Sequence, residues 1–249
     1  MPLVKIRNRY LENVTWLSSS ACDFNISGHS SVWRINISNN LALLDDFAQV
    51  INADETARAN RYMQVRDKNR FIISRGALRI ILGRYLNRQL TEIAFETGTN
   101  KKPFIKDSSL QYNVSHSGDW IVIAISNTAV GVDIEWINSG FQYQEIINEY
   151  FSAEESAYIA ADDAHSRFFL LWTRKEALTK ATAKGLDDDL KFIPSLEGDH
   201  EIDETLVEST LDWHSDSFEL SPGYLATLTT SAQIDHLRFW DAGLLKSKP

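Results

Sequence analysis

The sequence predicts an α+β protein built from two halves, and two observations support this prediction. The order strand, helices, strands occurs twice along the 249 residues, once before and once after about Thr128. The composition, 43% hydrophobic and 24% charged, is ordinary for a globular protein. We therefore expect an N-terminal extension over 1–30, an N-terminal half over 31–128 and a C-terminal half over 129–249.

The N-terminal half opens with a strand over Ser31–Ser38, in which apolar and polar residues alternate. Asn39 or Asn40 is then expected to cap a short helix that continues to about Val50. Two helices follow, separated near Gln64–Asp67, and the second has apolar residues at helical spacing with arginines on its flank. The remaining strands of this half are predicted on both sides of polar turns, in 93–105 and in 112–126.

The C-terminal half opens with the apolar run "AVGVDIEWI", which is typical of a strand. Side chains alternate across a strand, so Asp133 and Glu135 are expected to point to the same face. Ser152 and Glu155 lie three residues apart and predict a capping box at the start of a helix. The other predicted elements are helices over Tyr143–Tyr150, Ala153–Ala161 and His165–Thr182, a helix stop near Lys184–Gly185, and antiparallel strands in 190–193, 216–221 and 223–230.

The charge of the chain indicates a small anionic ligand rather than a polyanion. The net charge of −9 argues against nucleic acid, whose binding depends on Lys and Arg that neutralise phosphates. Many of the cations nevertheless fall in one segment, from Arg58 to Arg88. One cysteine excludes an internal disulfide framework, and we find neither a membrane-spanning run nor an apolar signal core. We expect a cytoplasmic protein without a membrane or nucleic-acid partner.

The predicted helix over His165–Thr182 carries Trp172, Glu176 and Lys180 four residues apart, on one stripe. Carboxylates on a strand and a helix, with lysines beside them, suggest Mg²⁺ holding a phosphorylated ligand, because Mg²⁺ takes oxygen ligands from carboxylates and phosphates. Two structural alternatives stay open. A strand with acidic residues on one face is often half exposed, and a Glu–Lys pair on a helix is often a solvated face.

Three strings together resemble the signature of 4′-phosphopantetheinyl transferases of the longer, Sfp-like type: "GVDIE", "FSAEES" and "WTRKEALTKATAKGL". The resemblance covers about Val32 to Leu228. It implies two similar α+β halves related by a pseudo-twofold, with the active site between them and complete in a monomer. It also implies an enzyme that uses Mg²⁺ to move the phosphopantetheine arm of coenzyme A to a serine of an apo acyl or peptidyl carrier protein.

The resemblance assigns roles to individual residues. Asp133, Glu135 and Glu176 match the metal ligands, and Glu176 and Lys180 match the catalytic residues, with either Glu176 or a metal-bound water as the base. The string "NVSHSG" matches a family motif whose Ser and His bind the nucleotide end of coenzyme A, the His near the 3′-phosphate. The positions matched to coenzyme A binding are Arg58, Arg61, Arg70, Lys102, Ser115, His116 and Lys175.

The chain departs from the family pattern at three positions. Glu55 stands where a lysine is frequent, Lys101 where glycine is usual, and Ala183 where an earlier glycine is normal. Two functional alternatives stay open. One is another Mg²⁺-dependent phosphoryl or nucleotidyl transferase, although the sequence has neither a Walker loop nor a G-x-G-x-x-G motif. The other is a homologue that binds carrier or nucleotide without catalysis.

Overall fold

The computed structural model describes residues 2–98, 100–185, 187–231 and 236–245. Thr99, in one of the predicted polar turns, and Leu186, the last residue of the "WTRKEALTKATAKGL" string, lie outside these residues. The described strands are β1 (Leu3–Leu11), β2 (Trp16–Ser18), β3 (Ser30–Asn36), β4 (Phe95–Thr97), β5 (Pro103–Ile105), β6 (Gln111–Ser117), β7 (Trp120–Ser126), β8 (Val130–Trp136), β9 (Gly198–Asp203), β10 (Trp213–Ser221), β11 (Tyr224–Thr230) and β12 (Leu237–Asp241). The described α-helices are α1 (Ile37–Asn40), α2 (Leu44–Val50), α3 (Ala53–Ala59), α4 (Val65–Leu86), α5 (Gln144–Tyr150), α6 (Ala153–Ala161) and α7 (Ala164–Thr182).

Two five-stranded sheets organise these elements. The first has the order β8-β11-β10-β1-β9 and the second has the order β2-β12-β3-β7-β6, while β4 and β5 form a separate hairpin. Strand β1, from the start of the chain, pairs in parallel with β10 and antiparallel with β9. Strand β12, from the other end, pairs in parallel with β2 and β3. Each sheet therefore receives a strand from the far end of the sequence.

The sheets pack face to face, and a long helix covers the outer face of each one. Strand alternation makes this possible, because neighbouring residues of a strand point to opposite faces. In β7, Ile123 joins the core beneath α4, whereas Val122 joins the core between the sheets, where it meets Val132 of β8. Ile6 of β1 packs beneath α7 with Leu178. The order of layers is α4, second sheet, first sheet, α7.

Gly131 determines how closely α7 lies against β8. A Cβ atom at this position would overlap the carbonyl of Ala177 and the amide of Ala181, both of which are backbone groups of α7. Only glycine permits this approach, because neither group is a flexible side chain that can move away. The two functional strings of the C-terminal half are thus brought into direct contact at the first residue of "GVDIE".

The α+β prediction, with two halves each made of a sheet and helices, is confirmed. The strand that carries "GVDIE", the hairpins of the N-terminal half and the three helices of the C-terminal half are present within two residues of their predicted bounds. The predicted capping box is present too. The Ser152 side chain accepts from the Glu155 amide, and the Glu155 side chain accepts from the Ser152 amide.

Three local predictions are wrong. The first helix is capped by Asn36 rather than by Asn39 or Asn40, because the side chain of Asn36, the last residue of β3, accepts from the Asn39 amide. The segment 190–193 is not a strand, since Asp188–Phe192 forms a 3₁₀ turn. Helix α7 ends at Thr182 as predicted, but the residue that ends it is Ala183 rather than the expected glycine, since Ala183 takes the left-handed conformation with φ of 63°.

Residues 1–30, for which the sequence suggested no role, contribute β1 and β2 to the two sheets. Among the described residues, we find no helix that combines the length and the apolar character needed to cross a membrane.

Candidate active site

The candidate site lies where the edge strands of the two sheets meet, β8 from the first and β6 from the second. Polar side chains of β6 satisfy the backbone amides along the edge of β8. Asn113 Oδ1 accepts from the Val132 amide at 2.9 Å, and Ser117 Oγ accepts from the Trp136 amide at 3.0 Å. Without these two acceptors, the amides on the free edge of β8 would be left unpaired, as edge strands expose N–H groups that the sheet itself does not satisfy. This seam fixes the backbone that carries both carboxylates of "GVDIE".

Two serines of β6 bind the carboxylates of β8. Ser115 Oγ donates to Asp133 Oδ1 at 2.8 Å, and Ser117 Oγ donates to Glu135 Oε2 at 2.9 Å. Asp133 is 3% exposed, so its charge is held almost entirely inside the protein. The expectation that Asp133 and Glu135 share one face of the strand agrees with this pair of contacts.

Lys180 reaches the same carboxylate from α7. Its Nζ lies 2.6 Å from Asp133 Oδ1 and 3.1 Å from Ser115 Oγ. Asp133 Oδ2 is also buried, yet it accepts no hydrogen bond from any described residue. The carboxylate therefore has one oxygen satisfied by Ser115 and Lys180 and one oxygen with free lone pairs.

Glu135 and Glu176 complete a group of three interacting carboxylates. Burial, followed by the charge of Asp133, raises the pKa of Glu135 to about 7. The same two causes, in the same order, raise the pKa of Glu176. Like charges that share a site disfavour one another's ionisation, whereas a bound cation relieves the repulsion. In the described part of the chain no three acidic, histidine or cysteine side chains are arranged to hold a metal ion, and the cation in contact with Asp133 is Lys180.

Three residues predicted to bind coenzyme A line one cavity on the opposite face of β6. The cavity has a volume of about 210 Å³ and includes Arg58, Arg70 and His116 in its wall. Arg58 lies over the ring of Phe71, 5.1 Å from its centroid, and Arg70 forms an ion pair with Asp67 at 2.9 Å. These contacts hold both guanidinium groups at the cavity.

His116 lines this cavity and is exposed to solvent on one side. Partial burial, followed by the positive charge of Arg70, lowers its pKa. Because side chains alternate along β6, His116 points into the cavity while Ser115 and Ser117 point to the carboxylates. The strand therefore separates a basic cavity from an acidic cluster only one residue away.

The other predicted coenzyme A contacts do not join this cavity. Arg61 is exposed and is absent from its wall. The Lys102 ammonium donates to the carbonyls of Val130 and Ala181, both at 2.9 Å, and burial lowers its pKa to about 8. Lys102 thus connects the N-terminal half to the start of β8 and the end of α7.

The structure corrects the expectation for Lys175. This side chain is fully buried, and its ammonium contacts Glu155 at 3.2 Å together with the carbonyls of Leu190 and Ile193. It cannot serve as a second cation beside the carboxylates, because these partners occupy it within the core. Glu55, which departs from the family pattern, is buried as well and pairs with Arg75 at 2.9 Å.

Ser117 was missed by the sequence analysis, although a signal for it was present. It lies two residues after Ser115 on the same strand, and a period of two places both serines on one face. Ser117 and its partner Glu135 line a second cavity, of about 240 Å³, whose wall includes the aromatic residues Trp136, Phe168 and Trp172. Glu135 thus connects the carboxylate cluster to an aromatic cavity.

Comparison with known proteins relates the chain to one family. The model of the 4′-phosphopantetheinyl transferase superfamily matches residues 129–229, and the model of the N-terminal part of 4′-phosphopantetheinyl transferases matches residues 39–128. The chain is 31% identical to the 4′-phosphopantetheinyl transferase HetI of Nostoc sp. over 180 residues, which is 69% of this chain and 76% of HetI. It is 29% identical to psf-1 of Bacillus pumilus, over 75% of this chain and 82% of psf-1, and 28% identical to Sfp of Bacillus subtilis, over 72% and 81%.

The chain therefore belongs to the 4′-phosphopantetheinyl transferase family. Within the family it is of the longer, Sfp-like type, in which one chain contains both halves.

Proposed function

We propose that this site transfers the 4′-phosphopantetheine arm of coenzyme A to a serine hydroxyl of an apo acyl or peptidyl carrier protein and releases 3′,5′-ADP. One observation supports the proposal above all others. The carboxylates of Asp133, Glu135 and Glu176 interact within one cluster, and β6 separates this cluster from a basic cavity lined by Arg70 and His116. A pyrophosphate at the carboxylates, with its nucleotide in the cavity, matches this distribution of charge.

Mg²⁺ fits the donor set at the carboxylates. Asp133, Glu135 and Glu176 would hold it, since carboxylate oxygens are the protein ligands that this hard cation prefers. The free, buried Oδ2 of Asp133 and the raised pKa values of both glutamates support this assignment. When bound, Mg²⁺ would offset the charge of the pyrophosphate and so favour attack at phosphorus.

The side chains of the protein provide positioning and proton transfer. Arg58, Arg70 and His116 would bind the phosphates of the nucleotide. Arg61, Lys102 and Ser115 are proposed as further contacts with coenzyme A, although they lie outside the wall of the basic cavity. The carrier serine oxygen forms a bond to the β-phosphorus of coenzyme A, while the bond from that phosphorus to the bridging oxygen of the pyrophosphate breaks. Such displacements depend mainly on orientation and on electrostatic stabilisation.

Two residues of α7 would handle the proton and the developing charge. Glu176 is proposed to accept the serine proton, directly or through a water molecule, and its raised pKa makes it a stronger base than an exposed glutamate. Lys180 already contacts Asp133, so its ammonium stands beside the position of the leaving phosphate and would neutralise it. The products are the phosphopantetheinyl carrier and 3′,5′-ADP.

The setting of the enzyme follows from the same chemistry. We infer a cytoplasmic enzyme, because coenzyme A and apo carrier proteins are both intracellular substrates and the single cysteine suits a reducing compartment. We also propose a monomer, with residues 31–128 supplying the basic groups for coenzyme A and residues 129–249 supplying the metal ligands and catalytic groups. Neither a nucleic acid nor a membrane is a proposed partner.

The decisive experiment is incubation of the protein with coenzyme A, Mg²⁺ and a panel of apo carrier proteins, scored by intact mass. We expect one carrier or more to gain a single phosphopantetheine group, and we expect EDTA to prevent the gain. A carrier with its acceptor serine replaced by alanine is the control. Binding of coenzyme A without any mass change across the panel would favour the non-catalytic alternative.

A further inference from the structure

A buried charge cluster in the C-terminal half joins α6, α7 and the turn that follows them. Glu155 closes the capping box of α6, and its carboxylate contacts the ammonium of Lys175 at 3.2 Å. Lys175 also donates to the carbonyls of Leu190 and Ile193 at the 3₁₀ turn Asp188–Phe192. We name Glu155, Lys175 and these two carbonyls the C-terminal clamp.

The N-terminal half contains the same arrangement. Glu55 closes the capping box of α3, and its carboxylate accepts from Arg79 Nε of α4 at 2.7 Å. The Arg79 guanidinium also donates to the carbonyls of Leu90 and Ile93, at 3.0 and 2.9 Å, beside the 3₁₀ turn Leu90–Glu92. We name Glu55, Arg79 and these two carbonyls the N-terminal clamp.

The clamps agree in their shared parts and differ in the second oxygen of the glutamate, which accepts from Ser195 in the C-terminal clamp and pairs with Arg75 in the N-terminal clamp. In each half a glutamate caps a short helix, a fully buried cation on the next long helix binds that glutamate, and two carbonyls three residues apart complete the cation's partners. A buried ion pair is a poor source of stability, because apolar side chains of similar volume often serve as well or better. What charged hydrogen bonds add is direction, since each donor must meet its acceptor at a defined angle.

The direction matters because each long helix carries functional groups beside its clamp cation. On α7, Glu176 follows Lys175 immediately, and Lys180 lies four residues after Glu176. Consecutive residues of a helix differ by about 100° in direction, so the clamp on Lys175 determines where Glu176 points. On α4, Arg75 lies one turn before Arg79, shares Glu55 with it and lines the basic cavity.

We propose that the two clamps are positioning devices with separate tasks in the reaction. The C-terminal clamp orients α7, and therefore Glu176 and Lys180, for the transfer step. The N-terminal clamp orients α4, and therefore Arg70 and Arg75 of the basic cavity, for binding of coenzyme A. This division of tasks rests on the proposed function of the site, whereas the clamps themselves are features of the fold.

The test compares Lys175→Met with Arg79→Met by measuring kcat, the KM and Kd for coenzyme A, and Tm. We expect Lys175→Met to lower kcat by about tenfold to 100-fold, since small misplacements of catalytic groups have effects of this size, with Kd changed less than about twofold. We expect Arg79→Met to raise KM and Kd by about tenfold while kcat at saturation stays near that of the wild type.

Lys175→Arg is the conservative variant, because the N-terminal clamp uses arginine for the same partners, and we expect it to regain much of kcat. Lys184→Met is the matched control. It removes a nearly buried ammonium just beyond α7 that binds Asp189 and the Leu206 carbonyl, outside both clamps. We expect this control to lower Tm, to leave the KM for coenzyme A unchanged and to leave kcat per active molecule unchanged.

A purely structural role predicts a different pattern. Both clamp variants would then resemble Lys184→Met, with a lower Tm, a lower active fraction and unchanged KM, and that result would overturn the proposal. If Lys175→Met does not fold, Glu155→Gln decides the question, because its amide preserves the shape of the side chain while it removes the charge. A wild-type protein that modifies no carrier would refute the proposed function instead, and the Kd of Arg79→Met for coenzyme A would still test the N-terminal clamp.

Discussion

Replacement of Glu135 by glutamine has a calculable effect on the stability of the metal-free protein. Burial and the charge of Asp133 raise the pKa of Glu135 from 4.5 to about 7. Between these two values the native protein keeps a proton on this carboxyl that the unfolded chain has released. Because the native state binds the proton more tightly, a rise of pH through this window lowers the free energy of unfolding.

The size of the effect follows from the two pKa values. Each tenfold change in proton affinity corresponds to about 1.4 kcal/mol, so ionised Glu135 costs the native state about 3 kcal/mol at pH 8. This is an upper value, because solvent reaches the half-buried side chain and screens its charge. Glutamine cannot ionise. The variant Glu135→Gln should therefore gain up to about 3 kcal/mol relative to the wild type at pH 8 and nearly nothing at about pH 4, below both pKa values.

Urea unfolding of both proteins in EDTA, at several pH values, measures this difference directly. His116, whose lowered pKa acts with the opposite sign, is present in both proteins and cancels from the comparison. Addition of Mg²⁺ at pH 8 should then stabilise the wild type more than the variant, since a ligand of the native state adds to stability. Stability curves that run parallel from pH 5 to pH 8 would refute the reasoning about the carboxylate cluster.

Four further predictions concern single residues. Asp133→Ala should abolish transfer to the carrier, measured by intact mass, while circular dichroism stays native; near-normal activity with full Mg²⁺ dependence would exclude it as a ligand. Lys180→Met should lower kcat and kcat/KM alike and leave coenzyme A binding largely intact, because it loses a contact of the transition state; unchanged steady-state kinetics would contradict this. His116→Ala should erase most of the difference in calorimetric affinity between coenzyme A and dephospho-coenzyme A, about 1.5–3 kcal/mol; a preserved difference would place the 3′-phosphate elsewhere. Ala183→Gly should raise the free energy of unfolding by about 1 kcal/mol, because φ of 63° strains alanine. A urea unfolding curve that shows no increase in this free energy would argue against such strain.

Local regularities of the sequence predicted much of the candidate site. A period of two placed Asp133 and Glu135 on one face of β8, and helical spacing placed Glu176 one turn before Lys180. The contact between Lys180 and Asp133 joins two different elements, α7 and β8, and could not be predicted from such spacing. It depends on the approach of α7 to β8 that Gly131 permits, and spacing within one element carries no information about the distance between two.

The failures have physical reasons of the same kind. The resemblance assigned Lys175 to the ligand as a cation near Glu176, but neighbouring residues of a helix point in directions about 100° apart, and Lys175 points into the core. Residues 190–193 resemble a strand in composition, yet Asp187 accepts from the Asp189 amide and starts a 3₁₀ turn. The pairing of β1 with β10 has no local signature at all, because these strands are separated by most of the chain.

That last pairing has a consequence for how the protein is made. Arg9 of β1 and Asp216 of β10 form an ion pair although 207 residues separate them in the chain. At about 5–20 residues per second, a ribosome needs on the order of 10 to 40 s to cover that distance. During this time β1 lacks its partner β10, and Ile6, which is buried in the folded protein, is exposed to water. Strand β8, which carries the carboxylates, likewise has no partner until β11 has been synthesised. A nascent chain that ends before β11 is therefore not expected to hold an assembled active site.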